Sequence, residues 1–386
     1  MSPTPQPKSF DRTAEIGRRI RRMRIVNGFD QADLAVRAGI SAGLMSHIET
    51  GRSSCPPEPL DLISRALRCR PEFFTEMSTT MEAAPPLLRA YADAPKKELD
   101  RHLGEATTVV DVIRHLRLRR IPNRLPVFDG DLENSEAIEE FAAHVRVVAD
   151  LEPAAVVGNA TRLAERLGCV VLPMTGELGR HLGLSTHFGD INVICVGRPS
   201  RVPQWHVPGD RQRLTVTHEL AHLVLHAGTS VPDGPRAARE VERQAFRFGA
   251  ALLTPAEVMI EELDSNRGRV TLKLLAEIKS RWGVSIKMLV GRFRDLGVID
   301  EDQARSLYKQ ISARGWTRQE PVEVPNETAI WLRSSLAETA SGDVAAAVAQ
   351  AANDTYLDAS YFEDWIDWEP STPAPPATDA QVIPLR

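Results

Sequence analysis

The chain has 386 residues, enough for two or three domains, and a net charge of −5 that gives no overall nucleic-acid signal. It has no apolar run of membrane-spanning length, and its first seven residues lack the apolar core of a signal peptide. The four cysteines are widely spaced and form no CxxC pair. This argues against a thiolate zinc site and a disulfide scaffold, and predicts a cytoplasmic protein with no membrane partner.

Residues 10–76 are predicted to form an all-α domain. Residues 1–75 carry 12 Lys or Arg against 8 Asp or Glu, a balance of +4 that suits a surface facing phosphates. An arginine-rich helix from Thr13 is predicted to stop at Asn27 and Gly28. A short helix then ends at Gly39, and Ser41 caps a third that ends at Gly51. Two short helices joined by a tight glycine turn are typical of a helix-turn-helix.

This stretch resembles the phage-repressor (XRE-type) helix-turn-helix family. The matching residues are Gln31, Leu34, Ala35, Ala38, Gly39, Ile40, Ser41, Leu44, Ser46, Ile48, Glu49 and Gly51. The resemblance implies a double-stranded DNA operator bound by a homodimer. It implies that bases are faced by Gln31, Ser41, Ala42, Gly43 and Ser46, and phosphates by Arg52 and the first-helix arginines. Ala42 and Gly43 lack the long polar side chain common in that family, so direct base reading should be limited. The alternative is a helical bundle that uses this pattern for packing alone.

Residues 77–135 are predicted to be a helical linker. Pro-rich segments flank a possible amphipathic helix at 97–119. Its basic end contains Arg114, Arg117, Arg119 and Arg120. That end could contact DNA, a partner or water alone.

Residues 136–320 are predicted to form an α+β domain with a small sheet. Helices are expected at 136–149 and 154–167, and strands at 169–172, 184–188 and 191–196, with Gly189-Asp190 as a hairpin turn. Thr254 to Glu257 suggests a capping box. Helices at 271–282 and 285–296 could pass for a second helix-turn-helix, or pack against the rest of this domain.

The motif His218-Glu219-Leu-Ala-His222 lies within a helix predicted to end at Gly228. Residues four apart share one helical face, so both imidazoles can aim at one zinc ion, while Glu219 can reach a water beside it. Zinc hydrolases use three protein ligands and keep a fourth position open. Glu242 leads a small, apolar helical face downstream and is the predicted third ligand, with Glu240 as the weaker candidate. His226 could support the ligands, face substrate or be structural.

Residues from about 150 to 318 resemble the ImmA/IrrE family of zinc peptidases. The match is carried by 213–226, by Glu242 with Ala245, Phe248 and 252–255, and by Val284, Ser285, Arg292, Leu296, Gly297 and 307–316. The resemblance implies a zincin-like metallopeptidase that cleaves a helix-turn-helix repressor. The family often has Asn at the position of Phe246, which puts a hydrogen bond behind the ligands in doubt.

Residues 321–386 are predicted to be an acidic extension with a disordered tail. From Glu320 onward the chain has 12 acidic residues and 2 arginines, with aromatic residues interleaved. Docking onto the protein's own surface is expected. A segment that binds a partner or competes with DNA is the alternative.

The sequence therefore predicts a multidomain DNA-binding regulator with a zinc peptidase domain. Zinc would be held by His218, His222 and Glu242, with Glu219 as the general base. For the oxyanion stabiliser, His226, His206 and Tyr308 are candidates. The substrate would be a repressor or another protein, in a stress response or a mobile element. The competing prediction is a regulator whose peptidase-like domain senses a ligand or partner without cleaving it.

Overall fold

A computed structural model describes residues 12–77, 96–174, 182–197, 207–227, 233–264 and 268–368. Their N-terminal helices are α1 (Arg12–Val26), α2 (Gln31–Arg37), α3 (Ala42–Glu49), α4 (Pro57–Ala66), α5 (Glu72–Thr75) and α6 (Lys96–His115). The middle part contains α7 (Ser135–Val148), α8 (Ala160–Leu167), β1 (Cys169–Met174), β2 (Gly183–Phe188), β3 (Ile191–Gly197), α9 (Gly209–Leu225) and α10 (Gly234–Leu253). There follow α11 (Ala256–Asp264), α12 (Leu272–Trp282), α13 (Ile286–Asp295), α14 (Glu301–Ala313), α15 (Trp331–Thr339), α16 (Val344–Thr355) and α17 (Ala359–Ile366). Among these helices, none is long and apolar enough to cross a membrane.

The predicted fold class is confirmed: helices including a helix-turn-helix precede an α+β unit with a three-stranded sheet. α2 and α3 are joined by a turn at Gly39, whose φ of +64° is left-handed. Ser41 caps α3 by accepting a hydrogen bond from Leu44 N. Buried Glu49 then accepts hydrogen bonds from Arg24 and Gln31. This carboxylate therefore joins α1, α2 and α3.

α1 and α3 approach each other most closely at Gly17. A Cβ at this position would lie 2.0 Å from the Ile48 carbonyl oxygen, which α3 holds in place. We expect Gly17→Ala to lower the free energy of unfolding by about 1–3 kcal/mol, because the two helices must separate. Thermal unfolding followed by circular dichroism measures this loss.

Gly43→Ala is the matched control for Gly17→Ala. A Cβ at position 43 would lie 3.9 Å from Ser41 Oγ, an ordinary van der Waals contact. The control should melt at or above the wild-type temperature, because alanine favours a helix more than glycine does. Equal melting of the two variants would contradict the tight contact.

The sheet has the strand order β1-β3-β2 and both of its faces are buried. β1 pairs with β3 in parallel, and β2 pairs with β3 antiparallel through the predicted turn at Gly189. Alternate residues belong to different cores: Val171 and Ile194 to one, Val170 and Val193 to the other. The first core contains α9, α10 and the helices around them, and the second contains α1 to α6 and α15 to α17.

α6 packs along the N-terminal helices. Gly104 of α6 faces Arg22 and Val26 of α1, and Asp111 of α6 pairs with Arg22 at 2.5 Å. Val109 and Val110 of α6 belong to the core shared with the back of the sheet. The first three helices are thus attached to the three-stranded sheet by an apolar core that both share.

The acidic C-terminal extension docks onto the protein's own surface. Leu357 forms an isolated β-bridge with Cys69, and the Tyr361 hydroxyl donates to the Leu67 carbonyl at 2.8 Å. The guanidinium of Arg68 stacks over the Tyr361 ring at 4.6 Å. These contacts lie after α4 and not on α3. The tail from residue 369, predicted to be disordered, lies outside the described residues.

Several predicted boundaries differ from the observed ones. The helix predicted at 154–167 begins only at Ala160, because Asn159 caps its first turn. The predicted capping box after α10 is wrong, since Thr254 ends α10 and its hydroxyl donates back to the Ala250 carbonyl. The histidine-bearing helix ends at Leu225 with His226 as its C-cap, whereas its predicted stop, Gly228, lies outside the described residues. The second helix-turn-helix is also wrong, because α13 buries most of its residues in the core.

Candidate functional site

The three predicted ligands come together where α9 packs on α10. Gly249 allows the close approach, because a Cβ there would lie 3.1 Å from His218 N. His218 and His222 project from successive turns of α9, and Glu242 projects from α10 toward them. One ligand atom from each residue lies within 4.8 Å of the other two. The weaker candidate, Glu240, instead pairs with Arg243.

The separations between these atoms suit a tetrahedral ion. The two Nε2 atoms of His218 and His222 are 3.2 Å apart, and they lie 3.2 and 3.5 Å from the nearest Glu242 oxygens. Ligand arms of about 2.0–2.1 Å at tetrahedral angles place donor atoms about 3.3 Å apart. The side chains of Glu242 and His218 are 34% and 18% exposed. This donor set therefore fits zinc and leaves a side open to water.

The ionisable groups of the cluster favour a positive charge between them. Burial lowers the pKa of His218, but the hydrogen bond with Glu242 and the charges of Glu219 and Glu242 bring it above its ordinary value. For Glu242, burial raises the pKa, and the hydrogen bonds with His218 and His222 lower it well below its ordinary range. A cation bound here would have a carboxylate as its counter-charge.

A chain of hydrogen bonds behind His222 sets its tautomer. The Gln244 amide donates to Leu132 O and to Glu240, so its Oε1 accepts from His226 Nε2 at 3.1 Å. His226 Nδ1 then accepts from His222 Nδ1 at 3.1 Å, which leaves the lone pair of His222 on Nε2, toward the ion. Burial lowers the pKa of His226 to about 4, with a further contribution from His222, so His226 is neutral at pH 7. Both ring nitrogens of His226 are engaged in these hydrogen bonds, so neither is available to donate to an oxyanion.

Gln244 should therefore control zinc affinity without touching the ion. We expect Gln244→Ala to weaken zinc binding about 10–100-fold, because His226 loses its acceptor and His222 its fixed orientation. Gln244→Glu keeps an acceptor oxygen and should lose less. Competition with a chromophoric zinc chelator measures the affinities. Equal affinity in Gln244→Ala and the wild type would contradict this role.

Glu219 lies beside the cluster, buried against the edge strand. Its Oε2 accepts a hydrogen bond from Ser185 Oγ of β2 at 2.7 Å. Gly183 lets this strand lie directly on α9, because a Cβ there would lie 2.8 Å from Glu219 Cγ. The carboxylate is thus oriented next to the ligands. Sequence reasoning did not find Ser185 or Gln244, since neither belongs to a motif and both act through distant partners.

The remaining predicted residues of this domain that the structure describes are Tyr308 and Phe246. Tyr308 sits against Gly291 of α13, with its hydroxyl 3.6 Å from a Cβ position there, and Phe246 lies on the same side. Burial raises the pKa of Tyr308. Phe246 is 37% exposed. An asparagine at position 246 was expected to supply a hydrogen bond behind the ligands. Here Gln244 hydrogen-bonds to His226, which in turn contacts the ligand candidate His222. His206 lies outside the described residues.

The predicted DNA-facing residues lie on or near α3. Ser41, Ala42, Gly43 and Arg52 are exposed, and Ser46 is half-buried. Gln31 is half-buried and donates to Glu49. His47 is exposed on α3 and was not predicted, although its spacing of four from Gly43 places it on the same face.

The first-helix arginines divide into two groups. Arg19 is buried and donates to the Phe73 and Phe74 carbonyls. Arg22 pairs with Asp111, and Arg24 with Glu49. The prediction that these three face phosphates is wrong, because each satisfies a group inside the fold. Arg18 and Arg21 are exposed.

Comparison with family models matches two parts of the chain. Residues 15–72 match a helix-turn-helix domain. Residues 164–294, which contain His218, Glu219, His222 and Glu242, match the peptidase M78 family, described as an IrrE N-terminal-like domain. The two matches support a helix-turn-helix domain fused to an ImmA/IrrE domain. A search of curated proteins finds no match. The IrrE N-terminal-like domain carries the three side chains that could hold a metal ion, and the helix-turn-helix domain indicates DNA-binding regulation.

Proposed function

We propose that the chain is a DNA-binding transcriptional regulator whose IrrE N-terminal-like domain is a zinc-dependent endopeptidase. Its substrate would be a repressor or another regulatory protein, and cleavage at a defined site would relieve repression. The observation that carries this proposal is the convergence of His218, His222 and Glu242 beside the buried carboxylate of Glu219. An ion held only for structure requires neither that carboxylate nor an open side.

Each residue would have a separate task in peptide hydrolysis. Zinc bound by His218, His222 and Glu242 would lower the pKa of water to about 7 and polarise the scissile carbonyl. Glu219 would accept the proton of the attacking water and pass it to the leaving amine. Ser185 would fix the orientation of the Glu219 carboxylate through its 2.7 Å hydrogen bond to Oε2.

The DNA-binding half of the proposal rests on the exposed face of α3. We expect the full chain, as a homodimer, to bind an operator near its own promoter. Arg52→Ala should weaken binding about equally across DNA sequences and reduce the slope of log affinity against log salt by about 1, because a phosphate contact is lost. Fluorescence anisotropy at several salt concentrations measures both effects.

Arg305→Ala, which removes an exposed arginine from α14, is the matched control and should leave both quantities unchanged. If the unmodified full chain shows only weak binding that is equal for all DNA sequences, the specific-regulator proposal fails. The full chain is required, because the helix-turn-helix core includes α6 and the C-terminal helices.

Mass spectrometry of newly formed protein N-termini tests the peptidase directly. Cells that contain the wild type should gain, under inducing conditions, at least one new N-terminus within a regulatory protein. Cells that contain Glu219→Gln should lack it. The same set of N-termini in both strains, under conditions where the wild type relieves repression, would contradict proteolysis.

The shared core of the fold favours one alternative function. The back of the sheet packs on the same apolar cluster as α1 to α6, so a change at the metal site could reach the DNA-binding helices without cleavage. The IrrE N-terminal-like domain would then be a sensor of a ligand or partner. This alternative predicts normal regulation by Glu219→Gln.

A further inference from the structure

A cavity lies on the opposite side of the sheet from His218, His222 and Glu242, and none of the functions proposed above uses it. It has a volume of about 630 Å³ and lies between the C-terminal end of α6, strands β1 and β3, and α15. This volume is within the range of about 300–1,000 Å³ that is typical of small-molecule sites. Its walls join the helix that packs on α1 to the sheet that packs on α9.

The rim of the cavity is rich in arginine. Arg114, Arg117, Arg119 and Arg120 all line it. Two carboxylates neutralise part of this positive charge. Asp190 lies 3.1 Å from Arg114 and 3.8 Å from Arg120, and Glu338 lies 2.8 Å from Arg119. Within the described residues, the Arg117 side chain has no hydrogen bond or ion pair. The rim therefore keeps a surplus of positive charge, and Arg117 and Arg120 are both exposed.

The inner wall of the cavity is apolar and contains one buried N–H group that lacks a hydrogen-bond partner among the described residues. Ile113, Leu118 and Val170 line it and are buried. Trp331 forms part of the same wall and is 7% exposed. Its indole Nε1 is buried and has no hydrogen-bond partner in the part of the chain that the structure describes. Buried donors are normally paired, so an acceptor atom of a ligand would satisfy this group.

We propose that this cavity binds a small organic anion. Its carboxylate or phosphate would contact Arg117 and Arg120, its apolar body would lie on Ile113 and Val170, and an acceptor atom would reach Trp331 Nε1. Guanidinium groups recognise both kinds of anion through charge-assisted hydrogen bonds. Because α6 and the sheet both contribute walls, the anion would stabilise the junction between the two domains.

The test uses an anionic probe and its uncharged analogue on the full chain. 1-Anilinonaphthalene-8-sulfonate has an apolar body and one negative group, and N-phenyl-1-naphthylamine has the same body without the charge. We expect the anionic probe to bind one site with a saturable rise in fluorescence. The double variant Arg117→Glu/Arg120→Glu should weaken this binding about tenfold or more, which corresponds to about 1.4 kcal/mol. Binding of the uncharged probe should change little.

Arg305→Glu/Arg314→Glu is the matched control, because it makes the same charge change on α14 and at its C-cap, away from the cavity. Thermal unfolding confirms that both double variants fold. The proposal is overturned if the anionic probe binds both double variants with equal affinity, or if the uncharged probe loses affinity to the same extent. Displacement of the anionic probe by octanoate supports an aliphatic carboxylate as ligand, and displacement by adenosine monophosphate supports a nucleotide. Displacement by neither at millimolar concentration overturns the proposal.

Discussion

In cells in which Glu219→Gln replaces the wild type, expression of the regulated genes is expected to remain repressed under inducing conditions. Glutamine preserves the shape of the side chain and can still accept a hydrogen bond from Ser185, but it cannot take a proton from water. General base catalysis contributes about 10²–10⁴-fold, so cleavage of the true substrate should fall by at least this range. Zinc content, thermal stability and DNA binding should remain unchanged, because Glu219 is not one of the three ligands.

Reporter expression in three strains separates the enzyme from the sensor. The strains carry the wild type, Glu219→Gln and His218→Ala. Under the peptidase account both variants fail to relieve repression, and only His218→Ala also loses zinc. If Glu219→Gln regulates like the wild type in every inducing condition while His218→Ala does not, proteolysis is abandoned and the zinc is structural.

His222→Ala is expected to abolish stoichiometric zinc binding. The residue would supply one of the three donors and would also connect the ion to the hydrogen bonds of His226 and Gln244. A ligand at 1,000 times its dissociation constant stabilises the folded state by about 4 kcal/mol. The wild type should therefore melt at a lower temperature after chelation, whereas the melting temperature of His222→Ala should not respond to the chelator.

His144→Ala provides the control for His222→Ala, since His144 is exposed on α7, outside the cluster. This control should retain both the zinc and the response to chelation. An unchanged zinc content in His222→Ala would show that the ion, if present, binds elsewhere.

The sequence was most informative where chemistry depends on neighbours along one helix. The spacing of His218, Glu219 and His222 follows from the helical repeat alone, so their shared face could be predicted without a tertiary structure. Glu242 was found because a lone carboxylate heads an apolar helical face. Ser185 could not be found this way. Its role depends on the packing of β2 against α9. Gly183 permits this packing, but no local sequence pattern predicts it.

The arginines of α1 show the limit of composition as a guide. Five arginines between positions 18 and 24 suggest a surface for phosphates, and local charge counting cannot separate them. In the structure, Asp111 lies 89 positions after Arg22, and the Phe73 carbonyl lies 54 positions after Arg19. Such distant partners determine which cations remain available. The same reason explains why residues 77–135, predicted as a helical linker, contain a helix that packs into the core.

Metal analysis of the full chain purified without chelators tests the central claim most directly. Mass spectrometry under native conditions and elemental analysis should both find about one zinc per chain, and His222→Ala prepared in the same way should contain none. A wild-type protein that carries no zinc, and takes up none when zinc is supplied, would contradict the metal site and the peptidase proposed on it.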